Sequence, residues 1–310
     1  MSNGYTYVIK PVTINETNLL YSSLGEDGFA FWVSGYSYLV GTRCISNHAL
    51  YECILAVSST TPPEADVALV VLTPHWIYVQ PTNRWAMYNG AMNVKSSHPS
   101  NVTQFLSPGG VTAFTAFGVV GIYYTVTMLS NTTQEYGCTW DESADTYATY
   151  PAPAYIHTEV LTEAVNTILL TDLPSINTGI IQFTLIGANP SINFLGCGIQ
   201  TTLGYLQYGA SYQIKSYGYR SWDSWGNYVY QQRGYSYTYD FMLKVPKESR
   251  KSIKLKMESI IDIPCVWIGT DVDGFEDLSC LGIYESFNPV LDYVDWSSMN
   301  LKITSLSAWI

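Results

Sequence analysis

Apolar and polar positions alternate along much of this chain. Between residues 29 and 90, Tyr36 and Tyr38, then Val40, then Arg43 and Ile45, then Leu50-Tyr51 and Cys53 follow a period of two, which predicts short β-strands. Gly35, Gly41 and Ser46-Asn47 punctuate them as turns. Ser58 to Glu64 (SSTTPPE) reads as a loop, because Pro62-Pro63 cannot continue a ladder. From 91 to 203 strands are expected at Val102–Leu106, Val111–Phe117, Gly121–Leu129, Gln134–Trp140, His157–Val160, Thr167–Leu170, Ile180–Ile186 and Asn193–Ile199. Turn signals such as Pro108-Gly109-Gly110 and Ala188-Asn189-Pro190 separate them. Short strands spaced by about 8–12 residues predict a β-sandwich, jelly-roll-like in character.

From residue 204 the pattern changes. Tyr205 to Tyr239 holds Trp222, Trp225 and ten Tyr. Tyr235–Val245 alternates and predicts a strand, which Pro246 ends. A helix is expected over Lys247–Ile261, with Ile253, Met257, Ile260 and Ile261 on one apolar face and Leu255 off it. Cys265–Gly269, Leu278–Tyr284 and Asn300–Leu306 predict three more strands. The first 28 residues, broken by Pro11 and Gly25, read as an extended arm that packs on other elements.

Composition narrows the function. Of 310 residues 47% are apolar, 13% charged and 26 are Tyr. The charged share is about half the usual one, and Tyr buries area while keeping a polar tip, which suits surfaces that partners cover. The net charge of −11, with 14 Lys and Arg spread along the chain, argues against nucleic acid, whose phosphates need clustered cations. The one basic cluster is Lys247, Arg250, Lys251, Lys254 and Lys256. It reads either as a solvated helix face or as a contact to an acidic neighbouring subunit. No apolar run reaches membrane-spanning length, so no membrane insertion is expected. The start, MSNGYTYVIKPVTI, lacks the features of a secretory signal. The six cysteines then read as small buried hydrophobes made in a reducing cytosol, with Cys44–Cys53 the pair to suspect of a disulfide.

Candidate chemistry is sparse. His48, His75, His98 and His157 are scattered, and no Cys lies at a metal-ligand offset, so neither a catalytic residue, a metal nor a cofactor is expected. Asp271, Asp273 and Glu276 lack the spacing of a calcium loop and read as a solvated turn. Asp141-Glu142 are adjacent carboxylates of the kind glycoside hydrolysis uses, but nothing in the chain sets their separation. The remaining candidates are aromatic: Trp32, Tyr36, Tyr38, Tyr51 and Trp76. Such rings stack on the apolar faces of sugars. They equally form the core of a module too small to hold many aliphatic side chains. Trp32, inside Phe29-Ala30-Phe31-Trp32-Val33, is expected in the core, and Trp76, beside Pro74 and His75, nearer the border.

Trp32, Tyr36-Ser37-Tyr38, Gly41, Leu50-Tyr51-Glu52-Cys53, Pro62 and Trp76 together resemble small chitin- and cellulose-binding modules. The longer run into Pro81-Thr82-Asn83-Arg84-Trp85-Ala86-Met87-Tyr88 resembles a family of structural tail and baseplate proteins of tailed bacteriophages. Leu106-Ser107-Pro108-Gly109, Pro264-Cys265-Val266-Trp267-Ile268-Gly269 and, in altered form, Gly282-Ile283-Tyr284-Glu285-Ser286-Phe287 are similar to further motifs of that family.

The resemblance spans roughly residues 9–306. It implies a mainly β chain in four parts: an N-terminal arm (1–28), a small aromatic-rich, carbohydrate-module-like β segment (29–90), a central β-sandwich (91–203) and a C-terminal α+β, tail-tube-like domain with one helix (204–310). It further implies a non-enzymatic virion protein of the tail, made in the host cytoplasm. Its partners would be other tail, baseplate or fibre proteins, a homo-oligomeric ring of its own copies and host glycan. The alternative is a secreted polysaccharide-active enzyme or lectin carrying a chitin-binding-type module.

Overall fold

The structure is a computed structural model that describes residues 4–58, 60–68, 74–90, 92–129, 154–162, 166–222, 224–231, 233–272, 274–290 and 295–306. The chain is mainly β. It opens with β1 (Tyr5–Pro11) and β2 (Leu19–Ser22). The module contains β3 (Ser37–Tyr38), β4 (Arg43–Ser46), β5 (Ala49–Cys53), β6 (Val57–Ser58), the short helix α1 (Pro63–Ala68) and β7 (Trp76–Pro81). Next come β8 (Ser96–Ser97), β9 (Asn101–Leu106), β10 (Ala113–Val119), β11 (Tyr123–Leu129), β12 (Tyr155–Val160), β13 (Asn166–Leu170), β14 (Ile180–Ile186), β15 (Ser191–Ile192) and β16 (Phe194–Leu206). The last part holds β17 (Ser211–Ser216), β18 (Tyr219–Trp222), β19 (Tyr228–Gln231), β20 (Tyr235–Pro246), helix α2 (Arg250–Glu258), β21 (Cys265–Ile268), β22 (Ser279–Val290) and β23 (Trp296–Ser305). The strand expected at Gln134–Trp140 lies outside the described residues.

A five-stranded sheet in the order β12-β11-β14-β9-β2 packs on strands β13, β10 and β16. Inward residues alternate along each strand: Val102 and Leu106 on β9, Tyr124, Val126 and Met128 on β11, and Ile181, Phe183 and Leu185 on β14. They meet Phe114 and Ala116 of β10 and Leu195 and Cys197 of β16, so these two layers form a sandwich.

β16 runs on past this sandwich. It pairs with β1 from Pro11↔Gly198 to Tyr5↔Tyr205 and then with β20 at Tyr205↔Lys244. The cycle β16-β1-β21-β22-β23-β20 therefore closes on itself as a six-stranded antiparallel barrel. Gly204 sits at the seam with φ 151°, where a Cβ would lie 2.8 Å from the Lys244 carbonyl oxygen. The closure needs a residue without a side chain at that point. Inside are Phe241, Leu243 and Val245 of β20, Trp267 of β21, and Met299, Leu301 and Ile303 of β23, with Ile253 and Met257 of α2 and Ile260 just beyond it covering one end.

The N-terminal arm packs on other elements as a strand, with β1 lying in the barrel between β16 and β21. Three expectations change here. The boundary at 203/204 falls within β16, so sandwich and barrel share one continuous strand. The helix stops at Glu258 rather than Ile261, with Asp262 in left-handed conformation (φ 57°) ahead of Pro264. Ile260 stays in the core, while Ile261 turns outward. Pro63, read as a loop residue, starts α1, where its missing N–H costs nothing.

Candidate functional site

The aromatic module is built on the antiparallel sheet β4-β5-β7. Residues Asn47 and His48 take positive φ (43° and 66°), the conformation a tight hairpin between β4 and β5 requires. Register sets Cys53 opposite Trp76 and Cys44 opposite Tyr51. Asp66 of α1 accepts hydrogen bonds from the Trp76 N–H (3.2 Å) and the His75 N–H (2.7 Å), and pairs with the His75 ring at 3.1 Å, which ties α1 to β7.

Of the five candidate rings, three are core. Trp76 is 1% exposed and meets Tyr38 edge-on at 5.0 Å. Tyr38 accepts the Val33 N–H on its hydroxyl at 2.7 Å, and Tyr51 packs edge-on to Tyr78 at 5.9 Å. Stacking on a sugar needs an open ring face, so Tyr38, Tyr51 and Trp76 are withdrawn as glycan contacts. The expectation for the two tryptophans is reversed: Trp76 is the buried one, while Trp32 is half-buried at the edge of the core. The apolar run around Trp32 is a surface, with Phe31 at 64% exposure and Phe29 and Val33 also open. Tyr36 remains a surface ring, at 61% exposure.

The segment Thr82–Tyr88 ties three parts of the chain together. The Arg84 Nε–H donates to the Leu24 carbonyl (2.8 Å), the Trp85 Nε1–H to Glu26 (3.1 Å) and the Asn83 N–H to Asp27 (3.3 Å). Asn83 also exchanges two hydrogen bonds with Ser97, and the Thr82 N–H bonds to the His48 carbonyl of the module hairpin. Trp85 stacks on the His48 ring at 4.1 Å, and Trp85 and Met87 enter the sandwich core. The motif thus joins the 24–27 segment, the module hairpin and the sandwich.

Burial raises the Asp27 carboxyl above its usual range, the Asn83 hydrogen bond opposes this, and the Glu26 charge adds to the rise. An acid whose folded pKa is raised weakens the fold while ionised, and the penalty disappears as pH falls through the folded pKa. Asp27→Asn is therefore expected to melt above the wild type at pH 7, with the gap closing on acidification. A gap that widens toward acid in a melting series from pH 7 to 4 contradicts this.

A second aromatic surface was visible in the sequence only as composition. β17 and the start of β20 continue the barrel wall outward, and β18 and β19 extend it as a two-stranded arm. Trp222 pairs with Tyr228 and Arg220 with Tyr230, so one face of the arm carries Arg220, Trp222, Tyr228 and Tyr230. Trp222 is 71% and Trp225, near the tip, 87% exposed. Composition by itself could not show that these rings stand in two-stranded pairing with most of their surface exposed.

The other chemistry is quiet. The described cysteines 44, 53, 197, 265 and 280 are free and buried, and burial pushes the Cys44 and Cys265 thiols up to about 11. Such thiols are poor nucleophiles. Asp141-Glu142 and Asp273 lie outside the described residues. Asp271 accepts from the Tyr5 N–H and the Tyr7 hydroxyl, both at 2.9 Å. It borders a cavity of about 180 Å³ also lined by Leu169, Thr171, Ile268 and Ser279. That is smaller than the roughly 300 Å³ at which ligand pockets begin. Among the described residues, no group of three or more His, Cys, Asp or Glu side chains could hold a metal ion. No protein family, curated protein or solved structure matches the chain.

Proposed function

We propose that this chain is a non-enzymatic structural subunit of a tailed-phage virion, a tail-tip or baseplate component or a fibre adaptor. The observation that carries this reading is the amount of uncovered apolar surface at two separate places. The module exposes Phe29, Phe31, Val33, Leu39 and Val40, and the arm exposes Trp222, Trp225, Tyr228 and Tyr230. Isolated soluble proteins rarely leave such patches open, whereas assembly subunits cover them with neighbours. The motifs at Thr82–Tyr88 and Pro264–Gly269 supply the kind of assembly. A glycan-contacting role is supported by Tyr36 and the arm, the places where rings stand open.

Antibodies raised against the chain are expected to label intact particles at the tail end. Labelling of the capsid, or no incorporation into particles, rejects the reading. A glycan array with the purified chain tests the sugar contact, and hydrolysis of a bound polysaccharide there favours the alternative, an enzyme with a binding module.

A further inference from the structure

The arm β18–β19 continues outward from the β17–β20 pairing. From Ser216 to Trp222 it advances about 20 Å, at roughly 3.3 Å per residue of strand. Every described residue from Tyr219 to Gln231 is exposed except Ser221, which is half-buried. Trp222, Tyr228 and Tyr230 share one face, Tyr219 and Val229 stand exposed on the other, and Trp225 lies near the tip. Trp222 and Tyr228 meet edge-on at 5.1 Å, so the rings are held by each other and by strand pairing rather than by a core. A partner that docks as a flat surface covers one face of such a strand pair. Rings on both faces and at the tip instead fit a medium that surrounds the arm. Charge also sets this element apart. Residues 215–233 hold three cations, Lys215, Arg220 and Arg233, against the one carboxylate of Asp223, a net +2 in a chain of −11. Arg220 lies on the same face as Trp222, and Lys215 sits 5.5 Å over the Tyr217 ring at the base of the arm. The tip reaches beyond one Debye length, about 8 Å at physiological salt, so the acidic body is largely screened from it.

We propose that the arm is a peripheral membrane anchor. Trp222, Trp225 and Tyr228 enter the headgroup region of a bilayer that carries anionic phospholipid, and Arg220 pairs with headgroup phosphate. Trp and Tyr have an apolar body and a polar tip, which is why they settle at the boundary between headgroups and acyl chains. Cations beside them add attraction to anionic lipid. The contact lies in the plane of the bilayer surface and needs no run of spanning length. Among the described residues β18 and β19 form a two-stranded sheet, so their outer backbone groups must stay hydrated. The headgroup region permits that and the hydrocarbon core does not. A glycan is the other class of partner that open rings could meet. Exposure on both faces and the local positive charge favour lipid. The inference holds whether or not the chain belongs to a virion.

The test is flotation of the purified chain with vesicles of phosphatidylcholine containing about 30% phosphatidylglycerol, at about 100 mM salt. The wild type is expected to float with them, and brominated acyl chains should quench part of its tryptophan fluorescence. Trp222→Ser and Trp225→Ser should each weaken flotation about tenfold or more and reduce the quenching. Arg220→Glu should weaken flotation with the anionic vesicles and leave the weaker binding to pure phosphatidylcholine unchanged. All three side chains are exposed and outside the buried clusters, so melting temperatures should stay near wild type. A wild type that floats with neither vesicle, flotation without quenching, or serine variants that float as well as wild type overturns the anchor. Glycan binding that Trp225→Ser abolishes, in a chain that does not float, assigns the arm to sugar and overturns it too. Labelling of particles at the tail end is independent of all these results.

Discussion

Replacing Trp76 by alanine is expected to remove about 3–5 kcal/mol of stability, the cost of cutting a large aromatic out of a packed core. The module has little else to collapse into the gap. Its buried cluster consists of Tyr38, Cys44, Ala49, Tyr51, Cys53 and Trp76, and Trp76 touches the strand partner Cys53 and the ring of Tyr38. Loss of the indole leaves Tyr38 with Tyr36 as its remaining edge-on ring and opens the β5–β7 seam. Hydrogen exchange across residues 38–53 should therefore rise with the drop in melting temperature. Tyr36→Ala, at an exposed ring, should stay within about 0.5 kcal/mol of wild type. A Trp76→Ala protein within about 1 kcal/mol of wild type would show that the module core is elsewhere.

The barrel makes a matching expectation at Trp267. This side chain is fully buried, packs edge-on to Tyr284 at 6.1 Å and donates its Nε1–H to the Gly282 carbonyl at 2.9 Å. Trp267→Ala is expected to cost about 3–5 kcal/mol through the lost burial and the cavity. Trp267→Phe retains most of the apolar volume but removes the indole hydrogen bond to the Gly282 carbonyl, which should cost about 0.5–1.5 kcal/mol by itself. Denaturant melts of the two variants separate the contributions. If Trp267→Phe melts with the wild type, the indole hydrogen bond contributes nothing and packing carries the site. The same geometry explains why Pro264–Gly269 stands out as a motif: Cys265 and Trp267 face the barrel interior, while Val266 and Ile268 pack on Phe117 and Phe194 outside it. A strand buried on both faces tolerates few alternatives.

Much of the β architecture was legible along the chain. The strand at Ile180–Ile186 stands where its alternation put it, and β20 ends at Pro246, one residue beyond the expected end. The helix was legible from Ile253 and Met257, although its end was not, because the halt at Asp262 is a backbone conformation rather than a composition. The candidate rings were found but could not be sorted. Tyr and Trp suit both core and surface, and only the pairing of β5 with β7 turned Trp76 inward while leaving Tyr36 in solvent.

The sequence by itself determined that the chain is β-rich, where most strands run and which residues are amphipathic enough to serve as core or contact. Those are local properties, carried by a period of two and by Gly and Pro. Only the tertiary structure decided that β1 meets β16 across some two hundred residues, that Tyr205 beside Lys244 closes a barrel, and that the arm is bare on both faces. These pairings join residues far apart in the chain, which no local pattern encodes.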